Sequence, residues 1–264
     1  MQRHTADGFR ADRWTAYRDT GDGWICVDGR RAAPYAVQPE TDVVSPFATI
    51  LRGVSRLDDE DVVPRLCAFY RDFGLLGYTS LSGQPHRVKC PDGRPELREG
   101  DRIDWVLAHV VNVGLILALA HERRAALDRR LATISAEADR LRIPTVAPSF
   151  VSLSFDVAEA QHDASPLEVA RRLLAELLNP NLVGVARMYD AEADVPRFHF
   201  RALIEVLYWQ LADRLAGRTQ IRRCPCGALF FAQDPRQKHC PPRPGRRESA
   251  CTKRFNMRRL RRRH

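Results

Sequence analysis

The sequence predicts a mainly α-helical protein: a helical N-terminal domain followed by a small, basic, cysteine-bearing module. Three observations carry this expectation. Apolar residues recur every three or four positions near 59–73, 101–141, 166–178 and 197–216, the spacing of one helix face. The stretch from Trp105 to Ala120 is apolar nearly all round, which places it centrally in a core. Residues 218–264 hold 15 of the 42 Lys and Arg and two acids, a formal +13, whereas the preceding residues sum to -4. A chain of 264 residues with 44% apolar side chains is not disordered or collagen-like. It can bury roughly 70 to 75% of its unfolded surface, so bulk stability needs no staple.

Taken in order, residues 1–42 are rich in Gly, Asp, Arg and Pro and read as an irregular arm, with a short hairpin through DGWICVDG as a variant. The helical domain is expected over 43–217. Its first helix runs from about Asp59 to Phe73, with Val62, Val63, Leu66, Cys67, Phe69, Tyr70 and Phe73 on one side. Ser55 or Asp58 would cap it and Gly74 or Gly77 would end it. Gly77 to Gly100 is turn-rich and reads as a loop or loose hairpin.

A long helical region is expected from about Asp101 to Leu141, apolar first and amphipathic later. The apolar part would span ~24 Å as a helix, short of the roughly 30 Å bilayer core, and it includes His109 and Asn112. It reads as a buried helix and not a membrane span. Val151, Leu153, Phe155 and Val157 alternate as in a strand. Ser165 and Pro166 open a helix to Leu178, LVGVARMY is ambiguous between strand and helix, and a last large helix is expected from Arg197 to Ala216, ended by Gly217. The start MQRHTADGFRADRW lacks the apolar core of a signal peptide, and Cys26, Cys67 and Cys90 are scattered. Together these point to a reducing, cytoplasmic setting.

The module from residue 218 onward has Leu229, Phe230 and Phe231 as its clear apolar cluster, too little to hold a unique shape without a cross-link or a metal. Cys224, Cys226, Cys240 and Cys251 supply four soft thiolates suited to one tetrahedral zinc ion, whose binding contributes about 10 to 16 kcal/mol in small zinc peptides. Four sulfurs close the shell, so the ion is read as structural. His239 is the alternative fourth ligand. Gly227 suits the tight turn after Cys226, LFF reads as a strand leaving it, and DPRQKH as a turn. Arg222, Arg223 and Lys238 would offset the local negative charge of a four-thiolate site.

The run RRCPCGALFFAQDPRQKHC, followed by Cys251 and the basic RRLRRR tail, resembles the C-terminal zinc-finger or treble-clef-like modules of bacterial proteins, including those of the CGNR zinc-finger family. In those proteins a helical region precedes the finger. The resemblance implies that the four named cysteines are the ligands and that a final helix begins near Cys251. It also implies DNA binding or transcriptional regulation. The C-x-C opening, the PPRPGRRESA insertion and ACTKRF at Cys251 depart from the family pattern.

The tail itself places Lys253, Arg254, Arg258, Arg259, Arg261, Arg262 and Arg263 on all sides of a helix, with Phe255, Met257 and Leu260 outside any narrow stripe. Such a helix is expected to face water or an anionic partner, DNA first and RNA second. Arg258, Arg259 and Asn256 are placed to reach base edges if the helix enters a major groove. Phe230 and Phe231 are read as finger core in preference to base-stacking residues. The rival reading is a zinc-stabilised adaptor for a protein partner, with the helical domain sensing a ligand or self-associating. An enzyme is not expected: GxGxxG, GxxxxGK[ST] and GxSxG are absent, His121 with Glu122 lacks the second histidine of HExxH, and His109 reads as a core residue.

Overall fold

The computed structural model describes residues 9–36, 42–51, 60–89, 94–121, 166–190, 195–217, 219–242 and 247–261. Over these residues the fold is mixed α/β, which corrects the expectation of a mainly helical chain: helices are interleaved with one three-stranded and several two-stranded antiparallel sheets.

The largest correction is at the N-terminus. In place of an irregular arm, β1 (Arg10–Asp19) and β2 (Trp24–Ala36) form a long antiparallel hairpin, and β5 (Gly100–Arg102) pairs with the far edge of β2. The pairing of β1 with β2 shifts register between Ala11 and Arg13 and again between Trp14 and Ala16. Each shift places one extra residue on β2, where Ala33 and Pro34 stand opposite Asp12, and Gly29 and Arg30 opposite Thr15. The period-two signature of a strand is thereby interrupted in β2.

Helix α2 (Val62–Phe73) packs across β1 through its buried Leu66, Phe69, Tyr70 and Phe73, as the periodicity predicts. Asp61 holds the N-cap position without a side-chain cap bond; Ser55, Asp58 and Asp59 lie outside the described residues. Gly74 ends the helix at φ 94°, and a Cβ there would meet the Asp12 carbonyl oxygen at 2.5 Å, so both conformation and space demand glycine. The turn-rich stretch that follows contains the expected hairpin, β3 (His86–Lys89) with β4 (Pro95–Arg98), and an unexpected short helix α3 (Tyr78–Ser82). The buried Asp101 carboxylate anchors the start of α3, accepting hydrogen bonds from the amides of Leu76, Gly77 and Tyr78 at 2.7, 3.0 and 2.7 Å.

Helix α4 (Ile103–His121) is the centre of the molecule, buried on nearly all sides and flanked by α1 (Val44–Ala48), α5 (Pro166–Leu178) and the C-terminal hairpin. It starts later than expected because Gly100–Arg102 are drawn into the sheet. By length and composition α4 would also suffice to cross a membrane, and 67% of its most apolar window is buried inside the fold. The amphipathic continuation to Leu141 and the strand around Val151 to Val157 lie outside the described residues.

The ambiguous LVGVARMY ends in a strand, β6 (Ala186–Asp190), paired with β7 (Val195–His199), so the last large helix, α6 (Leu203–Ala216), begins at Leu203 and not at Arg197. Phe198 and Phe200 are two apart, and both rings pack on Trp209, at centroid distances of 5.4 and 5.6 Å. That alternation, not a helical one, governs the segment.

Deep between α4 and α6, His109 Nδ1 lies 2.8 Å from the Tyr208 hydroxyl, to which Asn112 donates at 2.8 Å. Asn112 also donates to the Leu177 carbonyl at 3.2 Å, fastening α5. Burial lowers the His109 pKa from 6.5 to about 3, so the folded protein holds it neutral. The unfolded chain then takes up a proton that the folded chain refuses. Stability supplied by the neutral ring is complete above pH 6.5 and is lost as pH falls toward about 3. In urea titrations at stepped pH, His109→Gln is expected to flatten this part of the acid dependence relative to the wild type; parallel curves for the two proteins would contradict it.

Candidate metal centre

The C-terminal module is built from β8 (Ile221–Arg223), β9 (Leu229–Phe231) and α7 (Ala250–Arg261). Between the strands, the Cys224 amide donates to the Ala228 carbonyl and the Gly227 amide to the Cys224 carbonyl, both at 2.8 Å. Gly227 takes φ 91°, which a side chain would resist. This tight turn brings Cys224 and Cys226 to the tip of the hairpin. A second turn follows, where Asp234 Oδ1 accepts from the Arg236 amide at 2.6 Å and the Asp234 carbonyl from the Gln237 amide at 2.9 Å, returning the chain to Cys240. The Ser249 hydroxyl then accepts from the Thr252 amide at 3.1 Å, capping α7 and setting Cys251 in its first turn.

The four sulfurs meet. Those of Cys224, Cys226, Cys240 and Cys251 all lie within 4.8 Å of one another, and Cys226 and Cys240 are 3.5 Å apart. Sulfurs around a tetrahedral ion with metal–sulfur bonds of about 2.3 Å stand ~3.8 Å apart, so the group fits a four-thiolate metal site. Burial opposes ionisation of Cys226, but the Ala228 amide and the neighbouring thiols outweigh it and bring this thiol down to about 7. Burial and the Cys226 sulfur push Cys240 up, and burial likewise raises Cys251. Elsewhere, burial pushes the Cys26 thiol up to about 11, and Cys90 lies outside the described residues.

The two faces of β9 explain how this centre is held. Phe230 turns inward, fully buried with Cys224 and Ala228 in a small core of the module itself. Phe231, on the opposite face, enters the main core. Its amide donates to the Ser45 hydroxyl of α1 at 3.4 Å, and the Arg214 guanidinium of α6 lies over its ring at 5.3 Å. Arg214 in turn pairs with the buried Asp42 at 2.9 Å. His121, at the end of α4, places Nδ1 3.2 Å from the Ile221 carbonyl oxygen. Nothing in the sequence signalled these anchors, of which Ser45 with Phe231 and Asp42 with Arg214 join positions more than a hundred residues apart.

Between α7 and the pair α1 and α2 lies a cleft of about 780 Å³, with Ile50, Phe69, Cys251, Lys253 and Arg254 among its walls. Lys253 and Arg254 are exposed and border this cleft; Asn256, Arg258 and Arg261 are exposed farther along the helix, and Asn256 donates to Glu248 at 2.9 Å. The side chain of Arg259 and all of Arg262 and Arg263 lie outside the described residues. His239 does not join the sulfur cluster; its ring packs against Phe255 with centroids 5.0 Å apart. Phe230 and Phe231 are core residues. The histidines of the larger domain are scattered: His109 is in the core, His121 meets Ile221, His199 is exposed at the end of β7, and His162 lies outside the described residues.

A metal titration followed by native mass spectrometry is expected to find one ion per chain, with Cys251→Ser weakening its retention at least ~tenfold. Chelation is expected to speed amide hydrogen exchange in 219–261 well before it affects α4. Full occupancy in the serine variant would contradict the assignment of Cys251. No protein-family model, no curated protein and no solved structure matches this chain.

Proposed function

We propose that this protein binds nucleic acid, DNA in the first instance and RNA in the second, through a C-terminal helix whose position is fixed by one structural zinc ion. The observation that carries the reading is the setting of α7. Its first turn contributes Cys251 to the sulfur cluster, and beyond that turn its described side chains are exposed. A helix that buries so little of itself gains nothing for the core from its cations, whereas a polyanion would neutralise them and release counterions.

Zinc is the ion that fits best. Four thiolates are soft ligands, the shell they form is closed, and a closed shell orders a chain without offering a position for water or substrate. The role of the metal is then to hold Lys253, Arg254, Arg258 and Arg261 outward from a fixed base. A regulatory role in transcription is the extension of this reading that the resemblance to bacterial finger proteins suggests.

The test is binding of fluorescent oligonucleotides by the full-length protein across a salt series. About six phosphate contacts give a log–log slope of about -5, and each cation removed reduces it by about one. Changing Arg258, Arg259, Arg261, Arg262 and Arg263 together to Ala is expected to abolish most of the affinity while leaving zinc content unchanged. Unchanged affinity, or association with protein that salt does not weaken, would overturn the proposal in favour of an adaptor.

A further inference from the structure

Phosphate contacts alone leave one part of α7 unexplained. Phe255 is 50% exposed, as are Met257 and Leu260 at 48% and 54%, on a helix otherwise lined with charge. Phe255 has a fixed partner: its ring packs against the half-buried imidazole of His239, at 5.0 Å and with 42° between the planes. His239 directly precedes Cys240, and Phe255 follows Cys251 by four residues, one helical turn. The backbone that carries each ring is therefore positioned next to the sulfur cluster. Arg258 follows Phe255 by three positions and shares its side of the helix, and Lys238 is exposed next to His239. A pair of touching, partly exposed rings flanked by cations results.

We propose that this His239–Phe255 pair is a stacking platform for an unpaired base, and that the module prefers single-stranded nucleic acid to duplex. The inference rests on the nucleic-acid reading above and narrows it. In a duplex the base faces cover one another and the protein meets base edges, sugar and phosphate, so a half-exposed phenyl ring finds no face to stack on. An unpaired base offers a flat π-face that covers such a ring, while the neighbouring cations take the adjacent phosphates. Every base has that face, so the platform tolerates sequence. The aromatic residues that the sequence offers first, Phe230 and Phe231, cannot serve, because both are closed inside the fold.

The experiment compares the metal-loaded full-length protein, Phe255→Ala, Phe255→Trp and His239→Ala against single-stranded DNA, single-stranded RNA and a DNA duplex of equal length in a salt series. Single strands are expected to bind more tightly than the duplex. Removing the ring in Phe255→Ala should weaken single-strand binding by ~5- to ~100-fold, with zinc content, helicity and salt slope kept. The tryptophan variant should retain affinity and show fluorescence quenching on stacking. The two single-strand arms identify whether DNA or RNA is preferred. Equal affinity of wild type and Phe255→Ala, or tighter binding to duplex, would overturn the platform and leave the nucleic-acid reading standing. Absence of binding to all three ligands by the wild type would overturn both.

Discussion

Gathering four cysteine sulfurs within 4.8 Å is unfavourable for a polypeptide left to itself. Burial resists ionisation of Cys240 and Cys251, and a thiolate at Cys226 makes ionisation of its neighbours harder still. A divalent cation at the centre removes both penalties at once, since each sulfur then carries its charge against the metal. With an ion bound there, the rest of the C-terminal architecture would depend on this exchange. Without it, the segment from Cys224 to Arg261 has Phe230 and Phe231 as its buried rings, and its described residues beyond β9 have little apolar burial to oppose chain entropy.

A metal at this cluster would order the module, and the hairpin decides where the module sits. Adjacent residues of a strand face opposite ways, and β9 uses this directly: Phe230 closes the small core beside the sulfurs while Phe231 enters the large one. Ser45, Arg214 and Asp42 fix that insertion with a hydrogen bond, a cation over the ring and a buried ion pair. Helix α7 is in turn tied to the hairpin through Cys251. Its orientation relative to α1 and α6 follows from local bonds at each step.

Much of this was legible in the sequence where local chemistry dominates. Helices α2, α4 and α5 announced themselves by three-four periodicity or by a continuous apolar run, and the hairpin tip by Cys, Gly and the following LFF. The four cysteines were recognisable because so small an apolar content demands a cross-link. What was hidden has physical reasons. Extra residues in β2, opposite Asp12 and Thr15, broke its alternation, and strand pairing drew Gly100–Arg102 out of a helical pattern. Two phenylalanines spaced for a sheet overrode the helical reading of 197–202. The anchors at Asp42, Ser45 and Arg214 are long-range encounters, for which a one-dimensional pattern carries no signal. The His239–Phe255 pair joins two segments in the same way, since its rings meet only after the sulfurs have.

The place of Phe231 bears on how the chain reaches its final form. The surface of α1 and α4 that receives β9 is made by residues 44–121, whereas the ring that covers it comes more than a hundred positions later. During synthesis from the N-terminus, that apolar seat stays open until residue 231 has cleared the ribosome. The nascent protein therefore carries an uncovered patch from the completion of α4 until β9 emerges, and sealing it comes late in its synthesis.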